Sequence, residues 1–264
     1  MVGRLIQTAL LPRRTEVAIV VTLGVLTIAA WALTIRLMGL TMPGDLMGNQ
    51  LTTGAKAALG VGTWVAMMAA MMLPATAPFL GAVARIARSR RQQGTTAQGP
   101  WVFGIGYLVV WVAFGVVAAG IDLGGRAIIA ASPSLAAAAP LGAGVILALA
   151  GVYQVSPLKD LCLAHCRSTL GFLLTHWREG VGGAVALGAR HGVYCLGCCW
   201  ALMVTLLVTS ALGLVWPLTI SLLVFVEKVL PRGRQVSIAA AVVLVALGLA
   251  QATGLVVLGN LAGM

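Results

Sequence analysis

Three cysteines lie within five positions of a strongly apolar segment, in the stretch HGVYCLGCCWALM. On a helix with 3.6 residues per turn, Cys198 and Cys199 fall on the same face as Cys195. His191 and Met203 extend this face by one turn in each direction. Thiolate, imidazole and thioether groups are the ligands that bind soft transition metals. The stripe therefore predicts a metal site, with copper(I) favoured and zinc as the second choice.

Two other interpretations of these thiols stay open. Cys195 and Cys198 form a Cys-x-x-Cys pair, which is typical of thiol–disulfide oxidoreductases. A redox pair normally opens a helix, however, whereas this pair lies inside one and is followed by Cys199. In the other interpretation the protein is an assembly subunit whose cysteines only pack as small apolar residues.

A second sulfur cluster lies in the stretch TWVAMMAAMMLPATAP. Its methionines form two i, i+4 pairs on one broad helix face: Met67, Met68, Met71 and Met72. Thioethers hold copper(I) without placing charge in an apolar environment, although methionine is also an ordinary filler of such interfaces. Pro74 cannot donate a hydrogen bond to the Ala70 carbonyl, so we expect a kink that exposes this oxygen beside the sulfurs.

The remaining thiols lie in the segment 156–182, which we expect to be a linker in the cytoplasmic membrane interface. Helical spacing aligns Cys162 with Cys166, and His165 lies between them. We expect this group to capture a metal or to release it to a carrier. The spacing is not that of a zinc finger.

Polar residues at the ends of three apolar segments form a further group. They are Gln154, Arg190, His191 and Glu227. Ionisable groups inside membrane spans usually face the bundle interior and pair with one another. We therefore expect Glu227 to pair with Arg190 or His191, with either a structural role or a role in ion entry.

The segments that carry these residues are long enough to cross a membrane. The chain has 264 residues, of which 60% are hydrophobic and 9% are charged, and its mean hydropathy is +1.03. This predicts an all-α, polytopic transmembrane helix bundle that forms one domain over residues 1–264. About seven spans are expected: Val17–Met38, Leu59–Ala84, Trp101–Gly120, Ala139–Val155, Ala184–Ala211, Val215–Leu230 and Val236–Leu258.

Basic residues predict the orientation, because they collect on the cytoplasmic side of a membrane. Arg36, Lys56 and Arg126 lie on one side of the predicted spans, and the other 14 of the 17 Lys and Arg residues lie on the opposite side. The N-terminus, with Arg4, should therefore be cytoplasmic and the C-terminus outside. This asymmetry explains the net charge of +11, so the lipid bilayer, and no nucleic acid, is the expected partner.

Four motifs together resemble a known family. They are Trp-x2-Met-Met-x2-Met-Met-x-Pro (64–74), Tyr-Gln-x2-Pro-Leu-Lys-x2-Cys-Leu-x2-Cys (153–166), Cys-Leu-Gly-Cys-Cys-Trp (195–200) and Glu227-Lys228. The combination is similar to bacterial integral membrane proteins described as a domain of unknown function and as predicted metal-binding. The resemblance implies a multi-pass protein of the bacterial inner membrane that binds a metal.

We expect a protein that binds copper(I) near the bilayer midplane, for transport, delivery or insertion. A metal carrier or a recipient protein is the expected partner. We expect a binding protein rather than an enzyme, since acidic residues are few. The chain has no phosphate-binding Gly-x4-Gly-Lys-Ser/Thr motif, which excludes an ATP-driven pump of that type.

Overall fold

The computed structural model describes residues 13–41, 51–94, 97–209, 213–230 and 232–256. Every regular element in these ranges is helical. The α-helices are α1 (Arg13–Thr41), α2 (Thr53–Met72), α3 (Ala77–Gln92), α4 (Pro100–Ala131), α5 (Pro133–Gln154), α6 (Pro157–Arg167), α7 (Thr169–His176), α8 (Gly180–Val208), α9 (Val215–Val229) and α10 (Gly233–Ala252).

Six helical segments of the described chain are long and apolar enough to cross a membrane, which fits the predicted multi-pass helix bundle. They are Glu16–Leu40, Thr53–Gln92, Pro100–Ala131, Pro133–Gln154, Gly180–Val208 and Gly233–Ala252. The sixth predicted span, Val215–Leu230, is not among them. It forms α9, whose 15 residues extend about 22 Å, less than the roughly 30 Å of a hydrocarbon core.

Three positions used in the predictions lie outside the described residues. They are Arg4 and the expected span ends Ala211 and Leu258.

Pro74 divides the second span into two helices. A 3₁₀ turn, Pro74–Thr76, joins α2 to α3. The sequence predicted an exposed carbonyl at Ala70, but side-chain donors reach the next two carbonyls instead. Tyr107 donates a hydrogen bond to the Met72 carbonyl, and Ser221 donates one to the Met71 carbonyl, each at 3.3 Å. Neighbouring helices therefore satisfy two carbonyls at the end of α2, next to the proline.

Helices α4 and α8 touch along their backbones. A Cβ atom built on Gly106 would lie 2.0 Å from the Val185 carbonyl oxygen, and one built on Gly188 would lie 2.0 Å from the Phe103 oxygen. Further along, Gly192 lies against Val110 of α4. The contacts advance in the same direction on both helices, so α4 and α8 are parallel. Only glycine allows this separation, because any side chain would overlap the facing carbonyl.

The larger buried cluster lies where α2, α4, α6, α8 and α9 meet. It contains Met68 of α2, Trp111 of α4, Cys166 of α6, Cys198 of α8 and Val224 of α9. The sulfur-bearing side chains predicted to bind metal are thus part of the protein core.

We expect Gly188→Ala to lower the thermal stability of the purified protein, because the added methyl group overlaps the Phe103 carbonyl. Overpacking of this kind costs about 1–3 kcal/mol. The matched control is Gly120→Ala on α4, where a Cβ atom meets nothing within 4 Å. Thermal unfolding in detergent should give a lower midpoint for the first variant alone. Equal midpoints for the two variants would contradict the close contact.

Candidate metal centre

The three thiols of α8 are buried and lie on one face, as the spacing predicts. The exposed fraction of each of Cys195, Cys198 and Cys199 is at most 2%. The thiols of Cys198 and Cys199 donate hydrogen bonds to the Cys195 carbonyl, at 3.1 and 2.9 Å. The side chains therefore turn toward the backbone of their own helix.

Helix α6 brings a fourth thiol to this group. The Sγ atoms of Cys166 and Cys198 are 3.9 Å apart, and Cys195 also interacts with the Cys166 thiol. Hydrogen bonds with Cys195 and Cys198, together with burial, raise the pKa of the Cys166 thiol well above its usual range. Binding of a metal at Cys166 therefore requires the loss of a proton.

Two side chains from other helices surround the sulfur of Cys195. The hydroxyl oxygen of Tyr107 on α4 is 3.0 Å from Cys195 Sγ. The Nζ atom of Lys228, at the end of α9, donates a hydrogen bond to the same sulfur at 2.8 Å. Cys195 is thus the sulfur in contact with a cationic group, whereas Cys198 and Cys199 face a carbonyl.

The methionines of α2 pack in the same buried cluster as these thiols. The methionines in the cluster are Met67, Met68, Met71 and Met72 from α2 and Met203 from α8. Each has an exposed fraction of 6% or less. The structure therefore brings together the two sulfur groups that the sequence places on different helices.

These sulfurs do not form a preformed metal site. In the described part of the chain, no three His, Cys, Asp or Glu side chains are arranged to hold a metal ion. The thiols of Cys198 and Cys199 are instead engaged as donors to the Cys195 carbonyl. Metal binding at these two sulfurs would require the release of these protons.

His191 lies one turn before Cys195, in an aromatic environment. Its ring stacks on Phe79 with centroids 3.6 Å apart and lies 5.5 Å from the ring of Tyr107. The ring is buried, and its Nδ1 atom has no hydrogen-bond partner. His191 thus borders the thiol group through Tyr107.

The other residues expected in the linker occupy different environments. Cys162 is half-buried and packs against the buried cluster. His165 does not join the sulfurs, because its ring stacks on Tyr194 at 4.3 Å and its Nδ1 atom lies 2.8 Å from the Leu161 carbonyl. The part of the predicted interfacial linker 156–182 that carries Cys162 and Cys166 is thus helix α6, which packs against α8.

Glu227 has a different partner from the ones predicted. Its two carboxylate oxygens each accept a hydrogen bond from Lys159 at 2.8 Å, and Oε1 accepts another from Ser237. Arg190, one of the expected partners, is exposed on the outside of the bundle. The other, His191, lies among aromatic rings. Glu227 pairs with Lys159 because α6 packs against α9, which brings the lysine next to the carboxylate.

Two helices end at the level of the thiols. Tyr153, near the end of α5, donates a hydrogen bond to the Gly197 carbonyl, and Lys228 near the end of α9 reaches Cys195. Gln154 is buried there, and its Oε1 atom has no partner. The thiols are central in α8, as a midplane site requires, but they lie beside the ends of α5 and α9.

Sequence reasoning missed the roles of Tyr107 and Lys159. Tyr107 carries one of the few polar groups in the fourth helix, which was a usable signal. Lys159 lies at helical spacing before Leu163 and Cys166, and all three are buried. This spacing could have placed the lysine on the inner face of α6 rather than in a basic loop.

A family model described as PpoB2, a copper chaperone, matches residues 61–251 of the chain. The matched region is well over half of the sequence and contains all the thiols and methionines of the buried cluster. No curated protein and no solved structure matches the chain.

We expect Glu227→Leu to lower the free energy of unfolding by about 3–5 kcal/mol, because it leaves the ammonium of Lys159 buried without a carboxylate. The double variant Lys159→Met/Glu227→Leu should recover most of this loss. The matched control is Glu179→Leu, which removes an exposed ion pair with Arg90 and should cost about 1 kcal/mol or less. Denaturant unfolding in detergent measures all three variants. An equal loss for Glu227→Leu and Glu179→Leu would contradict the buried pair.

Proposed function

Because the chain belongs to the PpoB2 family of copper chaperones, we propose that it binds copper(I) in the buried sulfur cluster and delivers it to a recipient protein. One observation carries this proposal. Two helices, α6 and α8, place four cysteines together beside five buried methionines. Packing alone does not require so many soft ligands at one point.

The chemistry of the cluster suits copper(I). Thiolates bind this ion strongly, and thioethers add ligands without adding negative charge to an apolar environment. We assign Cys166, Cys195, Cys198 and Cys199 as the thiol ligands. The thioether ligands are Met67, Met68, Met71, Met72 and Met203. Cys198 and Cys199 must release the protons that they donate to the Cys195 carbonyl when the metal binds.

We propose that Cys162 exchanges the metal with a carrier. All five cysteines lie in described parts of the chain, and Cys162 is the one that is not fully buried. A Cβ atom built on Gly197 would lie 2.7 Å from its sulfur, so this thiol lies beside the helix turn that carries Cys198. We propose that copper(I) passes between Cys162 and Cys166, with His165 at the outer end of this path and His191 behind the cluster.

We place the protein in the bacterial inner membrane, with the N-terminus in the cytoplasm. The excess of basic residues on one side of the helices supports this orientation. Arg85 and Arg90 on this side pair with Glu16 and Glu179. With Cys162 toward the cytoplasm, the site takes up or releases copper(I) on that side.

We expect the full-length protein, purified without oxygen and loaded with copper(I), to hold about one metal ion or more per chain. Elemental analysis by mass spectrometry measures this ratio. The variant Cys195→Ser/Cys198→Ser/Cys199→Ser should lose the metal. Cys166→Ser should retain less copper than the matched control Cys162→Ser on the same helix. A wild type that stays empty would overturn the proposal and favour the thiol–disulfide oxidoreductase with Cys195 and Cys198.

A second experiment separates a ligand role of the methionines from packing. Met71→Leu/Met72→Leu nearly conserves side-chain volume, so the fold should lose less than about 1.5 kcal/mol. We expect copper(I) to dissociate faster from this variant when a chelator is present, because two thioethers are lost. The matched control is Met38→Leu on α1. Equal dissociation rates in wild type and the double variant would mean that these methionines pack in the core and do not bind copper(I).

A further inference from the structure

The ammonium group of Lys228 contacts the thiol cluster directly. Its Nζ atom lies 2.8 Å from Cys195 Sγ, and its neighbour Glu227 is occupied by Lys159 and Ser237. A metal bound to Cys195 would therefore lie next to a positive charge.

No described carboxylate is left to balance this charge. Each of the five described acidic residues is paired with another basic side chain. The pairs are Glu16–Arg85, Asp122–Arg126, Asp160–Arg234, Glu179–Arg90 and Glu227–Lys159. The hydrogen-bond acceptor of Lys228 is therefore Cys195 Sγ, and a metal ion bound to Cys195 competes with the ammonium group for this sulfur.

We infer that Lys228 is a specificity-determining residue, which favours monovalent copper(I) over divalent zinc(II). The inference rests on the proposed copper site. The Coulomb energy between two ions is proportional to the charge on each, so the same ammonium group repels a divalent ion twice as strongly as a monovalent one. The thiol ligands alone suit both metals. The positive charge of Lys228 is therefore the feature that makes binding of copper(I) more favourable than binding of zinc(II).

The expected size of this effect is large. For a metal about 5 Å from Nζ and an effective dielectric constant of about 20, one unit of charge changes the binding constant by about two orders of magnitude. The thiolates around the metal reduce this effect. We therefore expect the loss of the charge to shift the affinity ratio by about tenfold or more.

The experiment compares dissociation constants of the full-length protein in detergent for copper(I) and for zinc(II), each measured by chelator competition without oxygen. In Lys228→Gln, which keeps a hydrogen-bond donor but removes the charge, the affinity for zinc(II) relative to copper(I) should rise by about tenfold or more. Lys228→Arg keeps the charge and should leave the ratio near that of the wild type. Lys56→Met removes an exposed lysine and serves as the control for net charge.

The outcomes separate this inference from the proposed function. A wild type that binds neither metal overturns both. A wild type that binds copper(I), with a ratio that is unchanged or falls in Lys228→Gln, overturns the inference alone, because Lys228 then acts by stabilising the thiolates. If Lys228→Gln does not fold, Lys228→Met provides an uncharged side chain of similar length. The ratio of its zinc(II) and copper(I) affinities then tests the inference in the same way.

Discussion

The buried ion pair between Lys159 and Glu227 holds the rest of the candidate site in place. It joins the short helix α6 to the end of α9, and Cys166 lies two turns further along α6. The same helix buries Leu163 in the apolar cluster, whereas its Leu158 and Leu161 side chains are exposed. The fourth thiol therefore reaches the cluster on a helix that both an ionic contact and an apolar contact hold in position.

Few charged side chains lie in this part of the molecule, and each has a partner. One carboxylate neutralises Lys159, and the thiol group faces Lys228, so neither lysine remains as an isolated charge in an apolar environment. The methionines add uncharged thioether groups beside the thiols and do not alter this balance. A site of this composition suits an ion with a single positive charge.

Helical periodicity predicted those parts of the site that lie on one helix. The shared face of Cys195, Cys198 and Cys199 follows from their spacing, and the same holds for the methionines of α2. The contact between α6 and α8 could not be predicted in this way, because it joins residues that are about thirty positions apart through a return of the chain. The partner of Glu227 depends on the same return. The bounds of α9 were predicted to within one residue, but its 15 residues are too few for a span, because apolar composition alone does not show whether a helix crosses a membrane.

The two glycine contacts between α4 and α8 also fix the distance between these helices, and with it the surroundings of the Cys195 thiol. Tyr107 on α4 is 3.0 Å from the sulfur of Cys195 on α8, so a change in the separation of these two helices changes this contact directly. Gly106 precedes Tyr107 directly, and Gly188 lies two turns before Cys195. A bulkier residue at either glycine would therefore disturb the environment of the thiol well before the bundle comes apart, so the affinity for metal would report such a change sooner than the melting temperature.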